Sequence, residues 1–257
     1  MPDSAAPRRV QFLGAPVDAI TLPEILDWIT AAARDRTPRQ VVVINANKHY
    51  LMARDPALRA MVAAADLILP EWAVVWGARQ LGLPKLTHSG GLLVAQAFMP
   101  YAARTGLRPY FLGARPAVVA RLLERLRAQY PALDIAGGHH GYLTTPEIEA
   151  AALAEIEAAR PDMLFVAFGS PRQEQWIAQH CRRLGVPVSI GVGGTFDVLA
   201  GLKPDAPAWA RGRGLEWLTR LAQDPRAYAR RYLVTNTWFV WQVLKARLGG
   251  NSRHAAD

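Results

Sequence analysis

Short apolar runs alternate with longer segments of helical periodicity along most of this chain, and this alternation restricts the fold more than any other sequence feature. Six runs rich in Val, Ile, Leu and Phe predict buried strands: 41–45, 67–69, 109–113, 134–137, 163–169 and 188–194. Because parallel strands need long crossover connections, helical segments between them predict βαβ units. The expected fold is α/β, a Rossmann-like, mostly parallel sheet with helices on both faces.

The last fifth of the chain differs in composition from the rest. The net charge is +9, and from residue 201 onward ten Lys or Arg oppose four Asp or Glu, a net of +6. We therefore predict an α/β domain over 1–205 and a basic, Trp-rich helical appendage over 206–257. Such a charge excess suits an anionic partner: nucleic acid, phospholipid or a phosphorylated substrate.

A nearly apolar run at 232–244 lies between Arg230/Arg231 and Lys245. It is shorter than the roughly 20 residues that span a bilayer, so it predicts either a helix in a membrane interface or a helix packed on the domain with a solvated basic face. The amino terminus lacks the apolar core of a signal peptide, and Cys181 is the single cysteine. These features predict a cytoplasmic protein without a transmembrane helix.

The loops that follow the strands are the informative ones, because ligands bind beyond the carboxyl ends of parallel strands. Three of these loops combine glycine with a predicted helix start: 111–116, 169–176 and 191–197. A helix start offers free N–H groups and a positive dipole end to phosphate, and Ser170 and Pro171 suit a cap and first turn. Each loop alone also fits an ordinary capped helix. Three on one sheet edge favour a nucleotide or other phosphorylated ligand.

The same loops disfavour several cofactor and metal sites. Phe196 stands where the dinucleotide fingerprint needs a third glycine, which argues against a redox enzyme with a nicotinamide or flavin. The chain has no phosphate-loop lysine motif and no Asp-x-Asp pair. We therefore expect no metal and no cofactor. His49 and His88, on the presumed ligand side, stay open as substrate contacts, and the other four histidines are predicted at the surface.

Glu71 is a lone carboxylate in the apolar run 65–77, between a predicted strand and a predicted helix. Burying an unpaired carboxylate is unfavourable. Glu71 therefore either reaches solvent at the strand end or is held there for chemistry.

These segments together resemble the WecG/TagA/CpsF family of bacterial glycosyltransferases, over about residues 10–235. The run 191–233 is similar to the family's Gly-Gly-x-Phe-Asp, Ala-Gly, Arg-Ala-Pro and Gly-Leu-Glu-Trp-x-x-Arg-Leu series. The run 165–177 is similar to its Gly-x-Pro-x-Gln-Glu-x-Trp motif. Residues 43–76 occupy the place of its strand-end Asn and its Pro-Asp-Gly segment.

The resemblance implies an inverting, metal-independent transfer of N-acetylmannosamine, its uronic acid or a hexose from a UDP-sugar to a polyprenyl-diphosphate-linked saccharide. It implies that Glu71, at the place of the family's aspartate, is the general base for the acceptor hydroxyl. Asn45 and Gln173 match family positions that we assign to donor binding. The loops add further expected substrate contacts: Asn47, His88, Gly113, Gly169, Ser170, Arg172, Gly193, Gly194, Phe196, and Asp197, which equally suits a helix cap.

The family's appendage is thought to bring the enzyme to the membrane that holds its acceptor. For this chain the resemblance implies peripheral association with the inner face of the cell membrane, in polysaccharide or cell-envelope assembly. Five arginines are expected to meet the anionic membrane surface or the acceptor diphosphate: Arg211, Arg213, Arg220, Arg230 and Arg231. A second copy of the chain is a possible partner, and nucleic acid is not expected.

The chain departs from the family pattern around the expected base. Glu71-Trp72 replaces Asp-Gly, so the carboxylate is longer by one methylene and a ring replaces a flexible turn. Thr87 and Leu92 replace charged residues, which leaves the donor sugar open. The alternative hypothesis is a non-catalytic nucleic-acid or membrane binding protein on a degenerate nucleotide-binding fold.

Overall fold

The computed structural model describes residues 7–207, 210 and 216–249, and these contain eight strands and eleven helices. Two strands form an antiparallel hairpin: β1 (Arg8–Phe12) and β2 (Ala15–Ala19). Six form a parallel sheet: β3 (Arg39–Ile44), β4 (Leu67–Pro70), β5 (Pro109–Gly113), β6 (Gly137–His139), β7 (Met163–Ala167) and β8 (Val188–Gly191). The strand order is β4-β3-β8-β7-β5-β6, which confirms the predicted α/β fold.

Helices cover both faces of this sheet. In chain order they are α1 (Leu22–Asp35), α2 (Ala46–Met52), α3 (Pro56–Ala63), α4 (Trp72–Gln80), α5 (Gly91–Thr105), α6 (Pro116–Gln129), α7 (Pro146–Ala159), α8 (Arg172–Leu184), α9 (Thr195–Leu199), α10 (Glu216–Gln223) and α11 (Pro225–Leu248).

The sheet strands contribute side chains to two separate cores. In β3, Val41 and Val43 pack with α1, α5, α6 and α9, whereas Val42 and Ile44 pack with the hairpin and with α2, α3 and α4. Successive side chains of a strand point to opposite faces, so an unbroken apolar run is what a sheet covered on both faces requires. This is the physical reason why the runs could be identified as strands.

The hairpin and α1 were not among the predicted elements. The hairpin is anchored by the buried carboxylate of Asp18, which pairs with Arg9 at 2.7 Å and accepts a hydrogen bond from the backbone N–H of Ile68 at 2.7 Å. These bonds tie β2 to β4. A short segment with a charged buried residue carries no apolar run, so the sequence pattern did not reveal it.

The predicted strand at 134–137 is displaced along the chain. The structure has β6 at Gly137–His139, paired in parallel with β5 at the edge of the sheet. The predicted strands at 163–169 and 188–194 end earlier, at Ala167 and Gly191. The glycine-containing residues that follow these strands turn out of the sheet and form the loops described below.

The carboxyl-terminal helix α11 packs on the α/β body. Phe239 and Val243 are buried in the same core as Phe12 of the hairpin, and a methyl group on Gly77 of α4 would collide with the Phe12 ring at 2.7 Å. Close helix packing therefore requires a glycine at this position. The predicted division between 1–205 and 206–257 stays a prediction, although the described part of the appendage shares a core with the sheet. Among the described residues, no helix is both long enough and apolar enough to cross a bilayer.

Candidate active site

The carboxyl edge of the sheet brings the predicted loops together. Asn45 follows β3, Glu71 follows β4, Gly169 lies two residues beyond β7, and Gly193 lies two residues beyond β8. Because β4, β3, β8 and β7 are parallel neighbours, these positions lie side by side along one edge. Predicted sites that are up to 148 residues apart in sequence, from Asn45 to Gly193, thereby become one candidate site.

Glu71 stands at the junction between β4 and α4. Its backbone N–H donates to the carbonyl of Ile44 at 2.9 Å, and its own carbonyl accepts from Val74 and Val75 in the first turn of α4. Its side chain makes no capping hydrogen bond and is half-buried. The backbone is therefore fixed from both sides while the carboxylate is left out of the helix cap. Glu71 escapes deep burial because the strand ends here.

Trp72 and His88 form a stacked pair beside Glu71. Their ring centroids are 5.0 Å apart with an interplanar angle of 20°. Burial lowers the pKa of His88, and the carboxylates of Glu71 and Glu216 oppose this shift. The loop that carries His88 is held to the end of β4, because the backbone N–H of Ser89 donates to the carbonyl of Pro70 at 2.9 Å. The predicted site residue His88 is thus a neighbour of the predicted base.

A buried polar network lies under the loops after β3, β7 and β8. Lys48, Gln173 and Glu174 have relative exposures of 2%, 4% and 1%. Oε1 of Glu174 accepts from Lys48 Nζ at 2.6 Å, from Gln173 Nε2 at 2.8 Å and from the Ser170 hydroxyl at 3.1 Å. Burial raises the pKa of Glu174, but the cation and the donors outweigh burial and leave that pKa below its ordinary value. Glu174 is therefore held as a carboxylate.

Gln173 connects two of the glycine loops. Its Oε1 accepts from the backbone N–H groups of Gly169 at 3.1 Å and Gly193 at 3.0 Å, and a methyl group on Gly191 would overlap its amide at 2.5 Å. The structure thus gives Gln173 a positioning role for the loops after β7 and β8. Its predicted contact with the donor stays a prediction.

Asn45 has a comparable local role at the end of β3. Its Oδ1 accepts from the backbone N–H of Lys48 at 2.9 Å and caps α2, which starts directly after it. Asn47 lies in the first turn of α2 and is half-buried. Capping satisfies one N–H of the first turn that has no partner within the helix. Asn45 therefore orients the helix that carries Lys48.

The glycines of the site differ in what surrounds them. Gly169 and Gly193 have φ of +79° and +54°, and a side chain at either position, or at Gly194, would meet no atom within 4 Å. These three residues border open space at the carboxyl edge. Gly113, with φ of +135°, lies against the backbone of Ala167, where a methyl group would come within 2.6 Å of the carbonyl oxygen. Gly113 is thus explained by the close approach of β5 and β7.

The start of α8 differs from the predicted cap. The helix begins at Arg172 with Pro171 at the N-cap position, so the assignment of Ser170 as the cap was wrong. The Ser170 hydroxyl reaches Glu174 instead, because the buried carboxylate is the stronger acceptor. Arg172 is exposed, and its guanidinium lies 5.0 Å from the Phe168 ring centroid. An exposed cation at this edge suits an anionic ligand.

The residues after β8 divide between core and edge. Phe196 is 1% exposed and packs edge-on against Phe111 at 5.7 Å, so its side chain belongs to the core, which does not favour its predicted contact with substrate. Asp197 is half-buried; its carbonyl accepts from the N–H groups of Leu202 and Lys203. Its side chain makes no helix-cap hydrogen bond, because the cap position of α9 is Gly194.

The structure decides the open question for His49 and overturns the surface prediction for His180. His49 is buried between Phe12 and Phe239, at ring distances of 5.2 and 5.7 Å, and burial lowers its pKa to about 4. It is a core residue and not a substrate contact. His180, predicted at the surface, is buried and packs against Trp176 at 4.8 Å. The sequence did not indicate that His49 and His180 are buried, because a polar residue type does not predict a core position. His139 and His140 are half-buried, and His254 lies outside the described residues.

The appendage arginines are only partly described. Arg211 and Arg213 lie outside the described residues. Arg231 lies over the Tyr228 ring at 4.7 Å and over the Tyr232 ring at 5.2 Å. Burial raises the pKa of Tyr232, and the positive charge of Arg220 opposes this shift. The appendage influences the candidate site through α10, because the charge of its first residue, Glu216, acts to raise the pKa of His88 against the effect of burial.

Sequence reasoning missed Lys48, Glu174 and the Trp72–His88 pair. The signals were present but weak. Lys48 follows Asn45 by one helical turn, and Glu174 follows Gln173 directly, yet neither spacing predicts a pair 126 residues apart. Within the described ranges, no three His, Cys, Asp or Glu residues are arranged to hold a metal ion.

Comparison with known proteins shows the family of this chain. The statistical profile of the Glycosyl transferase WecG/TagA/CpsF family matches residues 10–253. The chain is also 31% identical over 206 residues to the N-acetylglucosaminyldiphosphoundecaprenol N-acetyl-beta-D-mannosaminyltransferase of Bacillus spizizenii. The aligned region covers 80% of this chain and 78% of that protein. These matches support an enzyme over the binding-protein and redox hypotheses. Because the matched region contains the whole parallel sheet and most of the appendage, the chain belongs to the WecG/TagA/CpsF family of glycosyltransferases.

Proposed function

We propose that this glycosyltransferase moves N-acetylmannosamine, or a closely related sugar, from a UDP-sugar to a polyprenyl-diphosphate-linked saccharide. The name of the Bacillus relative describes mannosaminyl transfer to an N-acetylglucosaminyl-diphosphoundecaprenol acceptor. The observation that carries the proposal is the placement of Glu71. Its carboxylate takes no part in the helix cap and lies at the same sheet edge as the open loops at Gly169 and Gly193.

In the proposed reaction Glu71 is the general base. The acceptor hydroxyl attacks the anomeric carbon of the donor while its proton passes to the Glu71 carboxylate. The bond between that carbon and the diphosphate oxygen breaks, and UDP leaves with the electron pair. A single displacement of this kind inverts the configuration at the anomeric carbon. Exclusion of the carboxylate from the α4 cap leaves its oxygens available for the proton.

The loops after β7 and β8 suit the diphosphate of the donor. Gly169, Gly193 and Gly194 present backbone without side-chain obstruction, and Gln173 holds the first two in register. The amino end of α8 begins at Arg172, so its helix dipole and guanidinium add positive charge at the same place. We propose that these groups, without a divalent metal, stabilise the charge that develops on UDP.

The outer surface of α11 supports peripheral membrane contact. Leu233, Trp241 and Leu248 are 73%, 59% and 84% exposed, and Val240 and Leu244 lie on the same side of the helix. Their spacing places them in one apolar stripe, with Arg230, Lys245 and Arg247 near its ends and edges. An apolar face bordered by basic residues suits the interface of an anionic membrane, where a lipid-linked acceptor resides. We propose attachment to the membrane face that presents this acceptor, which we expect to be the cytoplasmic one.

A transfer assay with purified protein tests the proposed reaction. UDP-N-acetylmannosamine and a polyprenyl-diphosphate-linked N-acetylglucosamine acceptor are supplied in detergent, with EDTA in one series and Mg²⁺ in another. Glu71→Gln is expected to lower kcat by about 10²- to 10⁴-fold, the usual contribution of a positioned base, while UDP affinity by calorimetry is retained.

Glu124→Gln, on the exposed surface of α6, is the matched control and should keep wild-type turnover. Near-normal turnover by Glu71→Gln would remove Glu71 from the base role. Failure of the wild type to use this donor, with transfer from another UDP-sugar, would change the proposed sugar but not the reaction. Loss of turnover in EDTA and recovery with Mg²⁺ would refute metal independence.

A further inference from the structure

Trp72, which follows Glu71 directly, stacks against the imidazole of His88. Trp72 lies at the start of α4, and His88 stacks on it with an interplanar angle of only 20°. The loop of His88 is fixed by the hydrogen bond from the backbone N–H of Ser89 to the Pro70 carbonyl at 2.9 Å. The imidazole is therefore oriented by both a flat aromatic surface and a short backbone anchor.

His88 and Glu71 meet over the same glycine. A methyl group placed on Gly90 would lie 3.0 Å from Nε2 of His88 and 3.4 Å from Cγ of Glu71. A side chain at this position would crowd both groups, so glycine keeps the space beside them free. The imidazole of His88 and the side chain of Glu71 are therefore neighbours that both border the Gly90 position.

Two carboxylates influence His88 from different elements. Glu71 acts from the junction of β4 and α4, and Glu216 acts from the first turn of α10, so body and appendage both contribute. Burial lowers the pKa of His88, and the two acids counteract that effect. The imidazole is neutral near pH 7 and can accept a proton, and an imidazolium formed there would be stabilised by the charges of Glu71 and Glu216 and by the indole face.

We propose that His88 is the proton acceptor for Glu71, so that Glu71 and His88 act as a relay during glycosyl transfer. This inference rests on the proposed function. The acceptor hydroxyl loses its proton to the Glu71 carboxylate as its oxygen bonds to the anomeric carbon and UDP departs. The proton then moves from the Glu71 carboxyl to the neutral imidazole of His88, which restores the carboxylate, and leaves His88 to solvent.

Trp72 has a defined part in this relay. A protonated imidazole stacked on an indole gains a cation–π attraction that the neutral imidazole lacks. Trp72 therefore stabilises the protonated product of the transfer more than the resting state. This accounts for the departure from Asp-Gly, because a glycine at this position would give the histidine no surface to stack on.

The test compares His88→Phe and His88→Asn with the wild type. Phenylalanine keeps the stack on Trp72 without a titratable nitrogen, and asparagine keeps polarity if the larger ring disturbs the loop. Both variants are expected to lower kcat about 10- to 100-fold with unchanged KM for the UDP-sugar and unchanged UDP affinity. Burial lowers the pKa of His88 from its ordinary value of 6.5, so the wild type should lose activity only at a pH below that value, where the imidazole becomes protonated. This loss should be absent in both variants.

His88→Gly leaves a space beside Trp72, and added imidazole is expected to restore part of its kcat. If His88→Phe and His88→Asn both retain wild-type kcat and the wild-type pH profile, the relay is refuted, even when Glu71→Gln is inactive. A kcat loss without change in the pH profile and without imidazole rescue would reduce His88 to a purely structural residue and would equally refute the relay. Normal turnover by Glu71→Gln would instead show failure of the proposed function.

Discussion

At the scale of single residues, a buried polar network connects the loops of the candidate site. The Lys48–Glu174 pair joins α2, which follows β3, to α8, which follows β7, and Gln173 extends the network to Gly193. A buried ion pair contributes little net stability against an apolar alternative, but removing one partner leaves an uncompensated buried charge. The pair is therefore best understood as a device that holds three loops in register.

Lys48→Met is expected to lower the free energy of unfolding by about 3–5 kcal/mol, because Glu174 is left buried without its cation. The change is measured by urea denaturation, with the exposed Lys85→Met as the matched control. UDP affinity should fall as well, since the loops at Gly169 and Gly193 lose their anchor. Wild-type stability and affinity in Lys48→Met would contradict the role of the pair.

At the scale of elements, α11 has two apolar faces with different purposes. Phe239 and Val243 are buried against the hairpin and α4, whereas Leu233, Trp241 and Leu244 face outward. One apolar stripe is the usual requirement for a helix on a globular domain, and a helix that is apolar on two sides needs a second apolar environment. The sequence left two hypotheses for this segment, a helix packed on the domain and a helix in a membrane interface. The structure shows a helix that packs on the domain and also exposes an apolar stripe.

Trp241→Glu combined with Leu244→Glu is expected to abolish binding to vesicles of phosphatidylglycerol and phosphatidylcholine without lowering the melting temperature by more than a few degrees. Ala128→Glu with Gln129→Glu adds the same charge to exposed positions of α6 and should leave vesicle binding unchanged. Cosedimentation measures both. Retained vesicle binding by the double glutamate variant would remove α11 from membrane contact.

Phe239→Ala should instead lower the free energy of unfolding by about 3–5 kcal/mol, because it creates a cavity in the core.

At the scale of the whole molecule, one core joins the hairpin, the sheet and the appendage. His49 lies at this junction between Phe12 and Phe239, and its Nε2 is buried without a hydrogen-bond partner in the structure. Its pKa is lowered to about 4 from its ordinary value of 6.5. The unfolded chain therefore binds a proton that the folded chain does not bind between these two values.

Stability should consequently fall as the pH decreases from 6.5 towards 4, by roughly 3 kcal/mol for this group. His49→Leu is expected to flatten the pH dependence of the urea midpoint within that window, while the wild type loses stability there. Urea titrations at pH 7.0, 5.5 and 4.5 make the comparison. Equal pH dependence in the two proteins would show that His49 does not govern the junction.

Much of the sheet and the carboxyl-edge location were predictable because they depend on local patterns. Val41 to Ile44 form an unbroken apolar run, and the glycines at 169 and 193 lie at the ends of two other predicted strands. The hairpin, by contrast, depends on the hydrogen bond that Asp18 accepts from Ile68, 50 residues further along the chain. The burial of His49, Phe196 and His180 likewise depends on which helix packs where, which a short sequence window does not contain.

By itself the sequence determined the βα alternation, the edge at which polar and glycine residues gather, the basic character of the tail and the resemblance to the family. Each of these follows from residue order over short distances, through strand and helix periodicity and charge. Only the tertiary structure decided that Glu174 is paired with Lys48, that α11 shares a core with Phe12, and that His88 stacks on Trp72 beside Glu71. Those contacts join residues distant in the chain, and their energies depend on burial and on mutual geometry, which exist only once the chain has folded.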